Sequence, residues 1–200
     1  VKVFKESYAT ITKFITNALD YVRDSEIQAF ADALTDVYEA GRKVLIIGAG
    51  RSGLVGKAFA MRLMHMGFNV YVLGDTIVPA LNSGDMVIAI SGSGRTKLVV
   101  TASEVAKSVG AKVVSFTTYP NSPLGKISDL IIQVPGRTKI STEDDYNVRQ
   151  LVGIYEPLAP LGTLFEITVM VLLDSIVSEL MSRLGKTEED LKKRHANIEI

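Results

Sequence analysis

Five short apolar runs, KVLIIG, NVYVLG, DMVIAI, AKVVSFTT and DLIIQV, punctuate residues 43 to 134, each rich in Val and Ile with little polar alternation. Strands covered on both faces read this way, whereas a sheet with one wet side alternates. Helical patterns over about residues 52 to 65 and 96 to 109 stand between the early runs, closed by Gly67 and Gly110. Repeated strand, helix, strand units predict a parallel sheet with right-handed crossovers, an α/β three-layer sandwich on five strands. Between the fourth and fifth runs, YPNSPLGKIS has turn composition with room for a short helix only.

The flanks are helical. Phe4, Tyr8, Ile11, Ile15, Ala18 and Val22 recur at steps of four and three, a narrow seam of the kind that packs against another helix. A second helix is expected from Ser25, where SEIQ reads as a capping box with Gln28 reaching back, to Gly41. Residues 135 to 157 show mixed charge and no period, which predicts a long surface loop. After it, PLGTLFEITVMVLLDSIVSELMSRLG reads as a long apolar helix ending at Gly185, followed by a short polar helix capped by Thr187. No repeat or composition break divides the chain, so the expectation is one domain: helices over 1–41, the sheet over 42–135 and carboxy-terminal helices over 158–200.

Composition narrows the chemistry. With 47% apolar and 22% charged residues, 200 residues can bury a sizeable core. Lys plus Arg and Asp plus Glu are equal at 22 each, so a broad pull on nucleic acid or anionic lipid is not encoded, and any bound anion must be held locally. The absence of cysteine removes disulfides, thiolate metal sites and cysteine nucleophiles together, and two histidines, His65 and His195, are thin material for a metal site, so no metal is expected. The amino-terminal stretch is amphipathic and mixed in charge, without an apolar signal core, and the longest apolar helix is interrupted by Glu166 and Asp174. Neither a membrane span nor export is expected, which leaves a cytoplasmic location.

Two glycine-rich turns follow strands. The first, GAGRSG, places Gly48, Gly50 and Gly53 in the dinucleotide pattern, and Asp75 ends the next strand where a ribose acid would stand, although a solvated strand-end residue is the simpler reading of it. The physics is less specific than the pattern. Gly50 lets the backbone approach any phosphate, the amides around Ser52 at a helix start attract any anion, and Arg51 adds a fork of donors suited to phosphate or sugar oxygens. The second turn, SGSGRT, separates the ligands. Ser91, Ser93 and Thr96, spaced by Gly92, Gly94 and Arg95 before a helix, offer three short hydroxyls and free backbone amides to a phosphate. Helix capping explains one hydroxyl, not three. A nicotinamide dehydrogenase has no evident use for this second turn, and a chain of this length leaves little room for its substrate domain.

Residues 91 to 96 resemble the S-x-S-G-x-T phosphosugar turn of the sugar isomerase (SIS) domains, and GAGRSG is similar to that family's earlier glycine turn. Two later stretches, PLGTLFE over 160–166 and RHANIE over 194–199, resemble the 6-phospho-3-hexuloisomerase branch of the family. The resemblance implies interconversion of D-arabino-hex-3-ulose 6-phosphate and D-fructose 6-phosphate without a cofactor, in a homotetramer whose active sites borrow residues from a neighbour. An arabinose 5-phosphate isomerase and a non-catalytic sugar-phosphate-binding module are the alternatives within the fold.

Such a reaction needs a base, and Glu166 is the best in the chain. It lies in the first turn of an apolar helix, where Leu164, Phe165 and Val169 desolvate it while the helix amino terminus favours the carboxylate. Without the resemblance, a helix-start acid stabilised by the macrodipole is the ordinary explanation. His195, the only histidine outside the first crossover helix, carries an imidazole able to pass protons between O2 and O3 or to open the furanose ring. Its position near the end of the sequence is unpromising within one chain, and a site shared with a neighbouring subunit, which the resemblance implies, would accommodate it. His65 reads as packing, or as a favourable charge at a helix carboxyl terminus.

Overall fold

The computed structural model describes residues 1–136, 158–160 and 162–195, so all of the 135–157 segment except its first two residues, and the last five residues of the chain, lie outside the description. Five parallel strands, β1 (Lys43–Gly48), β2 (Asn69–Val72), β3 (Met86–Ile90), β4 (Lys112–Thr117) and β5 (Leu130–Gln133), form one sheet in the order β2-β1-β3-β4-β5. The described helices are α1 (Lys2–Ala18), α2 (Asp24–Glu39), α3 (Gly50–Met66), α4 (Lys97–Ser108), α5 (Pro123–Ile127), α6 (Thr163–Leu184) and α7 (Glu188–Lys193).

Both faces of the sheet are covered, as the unalternating strands require. Ile46, Ile88 and Phe116 pack on one side against Phe30 of α2, Phe59 and Leu63 of α3, and Val169 and Leu173 of α6. On the other, Leu45, Ile47, Val87 and Val113 meet Val99 and Ala106 of α4 and Leu124 of α5. The predicted three-layer sandwich is the fold observed. The short helix between β4 and β5 is present, capped by Ser122, and Thr187 with Asp190 forms a reciprocal capping box at α7.

Two expectations are corrected. The capping box at Ser25 does not form: α2 begins at Asp24 after an extended Arg23, and Gln28 donates to Asp32 Oδ1 at 2.9 Å. With Arg23 at the N-cap position, Ser25 falls inside the first turn and cannot cap it, while Glu26 of the same turn reaches the sheet edge, where its Oε2 accepts the Gln133 N–H of β5 at 3.0 Å. The amino-terminal seam is only half used. Ala18 and Val22 are buried, whereas Phe4 and Tyr8 are 69% and 65% exposed.

The two ends of the strands are treated differently. At the amino edge, the buried Asp85 carboxylate accepts from the backbone N–H groups of Lys43 (2.9 Å) and Asn82 (2.7 Å) and pairs with the Lys43 ammonium at 3.1 Å. Burial alone raises this carboxyl, but those donors and the ammonium outweigh it and hold it below the usual carboxylate range. A depressed folded pKa gives stability that is fully present above the unfolded value near 3.9 and is lost as the pH falls through the folded one. Asp85→Asn is therefore expected to cost about 2–4 kcal/mol at pH 7, with the gap from wild type closing below about pH 4. Urea unfolding at the two pH values measures it, and a gap that does not change with pH contradicts the assignment. The carboxyl edge, by contrast, carries the glycine turns.

Candidate active site

The strand order brings the two turns together. They leave the carboxyl ends of β1 and β3, adjacent at the centre of the sheet with Gly48 paired to Ile90, although β2 separates them in sequence. From this point α3 runs over one face and α4 over the other. A crevice therefore opens between the turns, at the switch point where open α/β sheets bind ligands.

In the first turn Gly48 and Gly53 serve packing: a Cβ built on Gly48 lies 2.8 Å from the Gly53 nitrogen. Gly50 differs, with φ at +55° and nothing within 4 Å of such a Cβ, so its backbone is open to a ligand. Asp75 pairs with Lys57 at 3.2 Å, both half exposed, and so behaves as a solvated strand-end residue.

The second turn is tightly built. Gly94, at φ +62°, sits where a Cβ would be 1.9 Å from Ser122 Oγ. The Ser91 N–H donates to the Phe116 carbonyl and the Leu124 N–H to the Gly94 carbonyl, which ties the turn to β4 and α5. Thr96 occupies the N-cap position of α4 but makes no capping bond there; its Oγ1 lies 3.0 Å from the buried Ser91 Oγ. Ser93 Oγ accepts from the Arg95 N–H at 3.2 Å, which leaves its own proton available to a ligand. A hydroxyl network within the turn thus replaces the capping bonds. Ser91 is its buried support, and Ser93 and Thr96 are half-buried at its rim.

Glu166 reaches this crevice from α6. Gly162, at φ +79°, starts that helix and accepts the Glu166 N–H at 3.0 Å, and a Cβ on Gly162 would lie 2.9 Å from Glu166 Oε1. The carboxylate is folded back over its own helix start and forms an ion pair with Arg51 Nε of the first turn. Only 13% of the Glu166 side chain is exposed, against 59% for Arg51. A mostly buried carboxylate and a half-open guanidinium therefore meet at the first turn, and Phe165, the residue before Glu166, lies against Gly92 of the hydroxyl-lined turn. Among the described residues no group of acidic, histidine or cysteine side chains is placed to hold a metal ion, and no helix is long and apolar enough to cross a membrane.

His195 is not brought to Glu166 within the chain. It follows α7, is exposed, and its ring lies 5.0 Å from that of His65, centroid to centroid, near the carboxyl end of α3. The fourteen residues from Arg51 to His65 along α3 place it about 21 Å from the first turn. His65 is buried in the last turn of α3, and the guanidinium of Arg194 covers Gly67 at the same helix end. Sequence reasoning missed three supports of the crevice. Phe165 lies against Gly92, Thr117 hydroxyl donates to the Gly92 carbonyl at 3.3 Å, and Ser122 fills the space beside Gly94. Each is an ordinary core or capping residue in its own stretch, so only the position of Phe165 beside Glu166 carried a signal.

The SIS domain profile matches residues 36–173. The chain belongs to the SIS domain family. Among SIS relatives, an Aeropyrum pernix protein is 59% identical over 99% of this chain and 93% of that one. A 3-hexulose-6-phosphate isomerase of Bacillus subtilis is 40% identical over 97% of this chain and 98% of its own. A Methanococcus jannaschii protein, whose crystal structure infers a function of 3-hexulose-6-phosphate isomerase, superposes with a TM-score of 0.77 at 30% identity, covering 96% of this chain and 99% of that chain.

Proposed function

We propose that this SIS domain chain interconverts D-arabino-hex-3-ulose 6-phosphate and D-fructose 6-phosphate through a 2,3-enediol, with Glu166 as the base. The observation that carries the reading is the Arg51–Glu166 ion pair beside the hydroxyl-lined turn, in a chain whose relatives bear the name of that activity. Ser93, Thr96 and the amides of Gly92, Ser93 and Thr96 hold the phosphate, Gly94 and Arg95 close the turn through their own N–H groups, Ser91 orients Thr96, and Gly50, Arg51 and Ser52 meet the sugar from the other side.

Glu166 takes the C2 proton of the hexulose as the C3 carbonyl becomes an enediolate oxygen. The negative charge leaves the carboxylate for the sugar while the Arg51 guanidinium stays beside both, so the site needs little rearrangement to stabilise it. The proton then returns at C3, O2 loses its hydrogen and O3 gains one, and the carbonyl stands at C2. His195 of a neighbouring subunit passes the oxygen-bound protons in a homotetramer with shared sites. The exposure of His195 and its distance from Arg51 support that placement, and the exposed Phe4 and Tyr8 of α1 offer apolar surface for assembly. The chain acts as one cytoplasmic domain over 1–200.

The test is to incubate the purified protein with fructose 6-phosphate in deuterated water and follow the sugar by NMR. Formation of the hex-3-ulose phosphate is expected, with label entering at C2 of that product and at C3 of the recovered fructose 6-phosphate; an unchanged sugar, or label at C1 alone, refutes the reading. The double variant Ser91→Ala, Ser93→Ala is expected to raise KM by about tenfold or more, the loss of one to two charge-assisted hydrogen bonds, with little change in Tm. An unchanged KM removes the phosphate from this turn.

A further inference from the structure

We infer that Phe165 is a positioning residue that fixes the separation between the phosphate-holding turn and the Glu166 carboxylate, and so decides which sugar carbon the base reaches. The inference rests on the reaction proposed above. The buried Phe165 ring lies flush on the second turn: a Cβ built on Gly92 would be 3.1 Å from its Cγ and Cδ1. On the far side, a Cβ on Gly136 would be 3.2 Å from Phe165 Cβ and 2.9 Å from Thr118 Oγ1. The Phe165 side chain is thus packed against two glycines, where an added methyl would crowd its ring at Gly92 and its Cβ at Gly136. Gly92 itself cannot yield, since its carbonyl accepts from the Thr118 N–H at 3.1 Å and the Thr117 hydroxyl at 3.3 Å.

Glu166 is the next residue, and its carboxylate pairs with Arg51 and folds over Gly162, where a Cβ would lie 2.9 Å from its Oε1. A stiff aromatic ring seated on the anchor of the substrate is therefore one residue away from the group that removes its proton. Fructose 6-phosphate has acidic C–H bonds at C1 and at C3, both beside the C2 carbonyl. With the phosphate anchored at the other end of the sugar, only the distance from turn to base selects C3, which leads to the 2,3-enediol, over C1, which leads to the 1,2-enediol. A misplacement of about 1 Å in such a geometry costs on the order of 10²-fold in rate.

The experiment compares wild type, Phe165→Leu and Gly92→Ala with fructose 6-phosphate in deuterated water, reading exchange at C1 and C3 separately by NMR together with KM. For Phe165→Leu, exchange at C3 is expected to fall by about 10²-fold while KM stays within about 3-fold, and the ratio of C1 to C3 exchange rises several-fold. Gly92→Ala displaces the ring from the other side and is expected to raise the same ratio, which keeps the proposal testable if the leucine variant does not fold. A variant weakened only in its fold loses both exchanges in proportion, so an unchanged ratio in both variants overturns the spacer role while the isomerase reading stands. Wild type that forms no hexulose phosphate and exchanges neither proton overturns the isomerase reading, and this inference with it.

Discussion

Glu166→Gln is expected to lower turnover by about 10²–10⁴-fold, the range a positioned general base contributes, while sugar-phosphate binding stays within a few fold of wild type. The substitution keeps the size of the side chain and its place over Gly162, but the amide cannot take a proton and no longer neutralises Arg51. The released guanidinium remains beside the crevice, so the variant holds an anionic sugar without turning it over. Equilibrium binding of fructose 6-phosphate and steady-state rates separate the two effects. Normal turnover in this variant excludes Glu166 as the base. Mixing inactive Glu166→Gln and His195→Ala chains tests the shared site: recovery of activity is expected if His195 serves a neighbour, and none if each chain uses only its own.

Gly94→Ala is expected to be the most damaging small substitution in the second turn. Its Cβ would lie 1.9 Å from Ser122 Oγ and 2.6 Å from Ser122 Cβ, at a φ of +62° that L side chains rarely adopt. Ser122 is buried and cannot retreat without releasing the Gly125 N–H it caps at α5. Backbone strain and overpacking together cost about 2–5 kcal/mol, a fall in Tm of roughly 5–15 °C for a chain of this size. Adding Ser122→Gly restores the space but not the backbone conformation, so partial recovery is the expected outcome. A melting temperature equal to wild type in Gly94→Ala means the turn relaxes in a way this packing does not allow.

The sheet was legible because parallel strands buried on both faces leave a local signature. KVLIIG and DMVIAI need no partner in view to be recognised, and Gly67 and Gly110 close the helices that follow their glycine turns. The same holds for Thr187 and Asp190, whose capping bonds span three residues. Where two helix starts one or two residues apart were both locally plausible, local reasoning failed: Arg23 rather than Ser25 takes the N-cap position, Gln28 turns to Asp32, and Glu26 of that turn reaches Gln133 of β5. The candidate site was legible in its parts for a related reason. Free amides and hydroxyls after a strand are costly unless used, so SGSGRT drew attention without a structure.

By itself, then, the sequence determined the layered α/β class, the two turns and the acidic residue at the start of a long apolar helix, all of them set by contacts between residues a few positions apart. Tertiary structure alone decided the strand order that sets the turns side by side, the pairing of Arg51 with Glu166 across 115 positions of chain, and the lodging of Phe165 between two glycines. It also decided that His195 lies beside His65, away from Glu166. These depend on which surfaces exclude water from one another when the helices close over the sheet, a choice made by the whole core and written in no single segment.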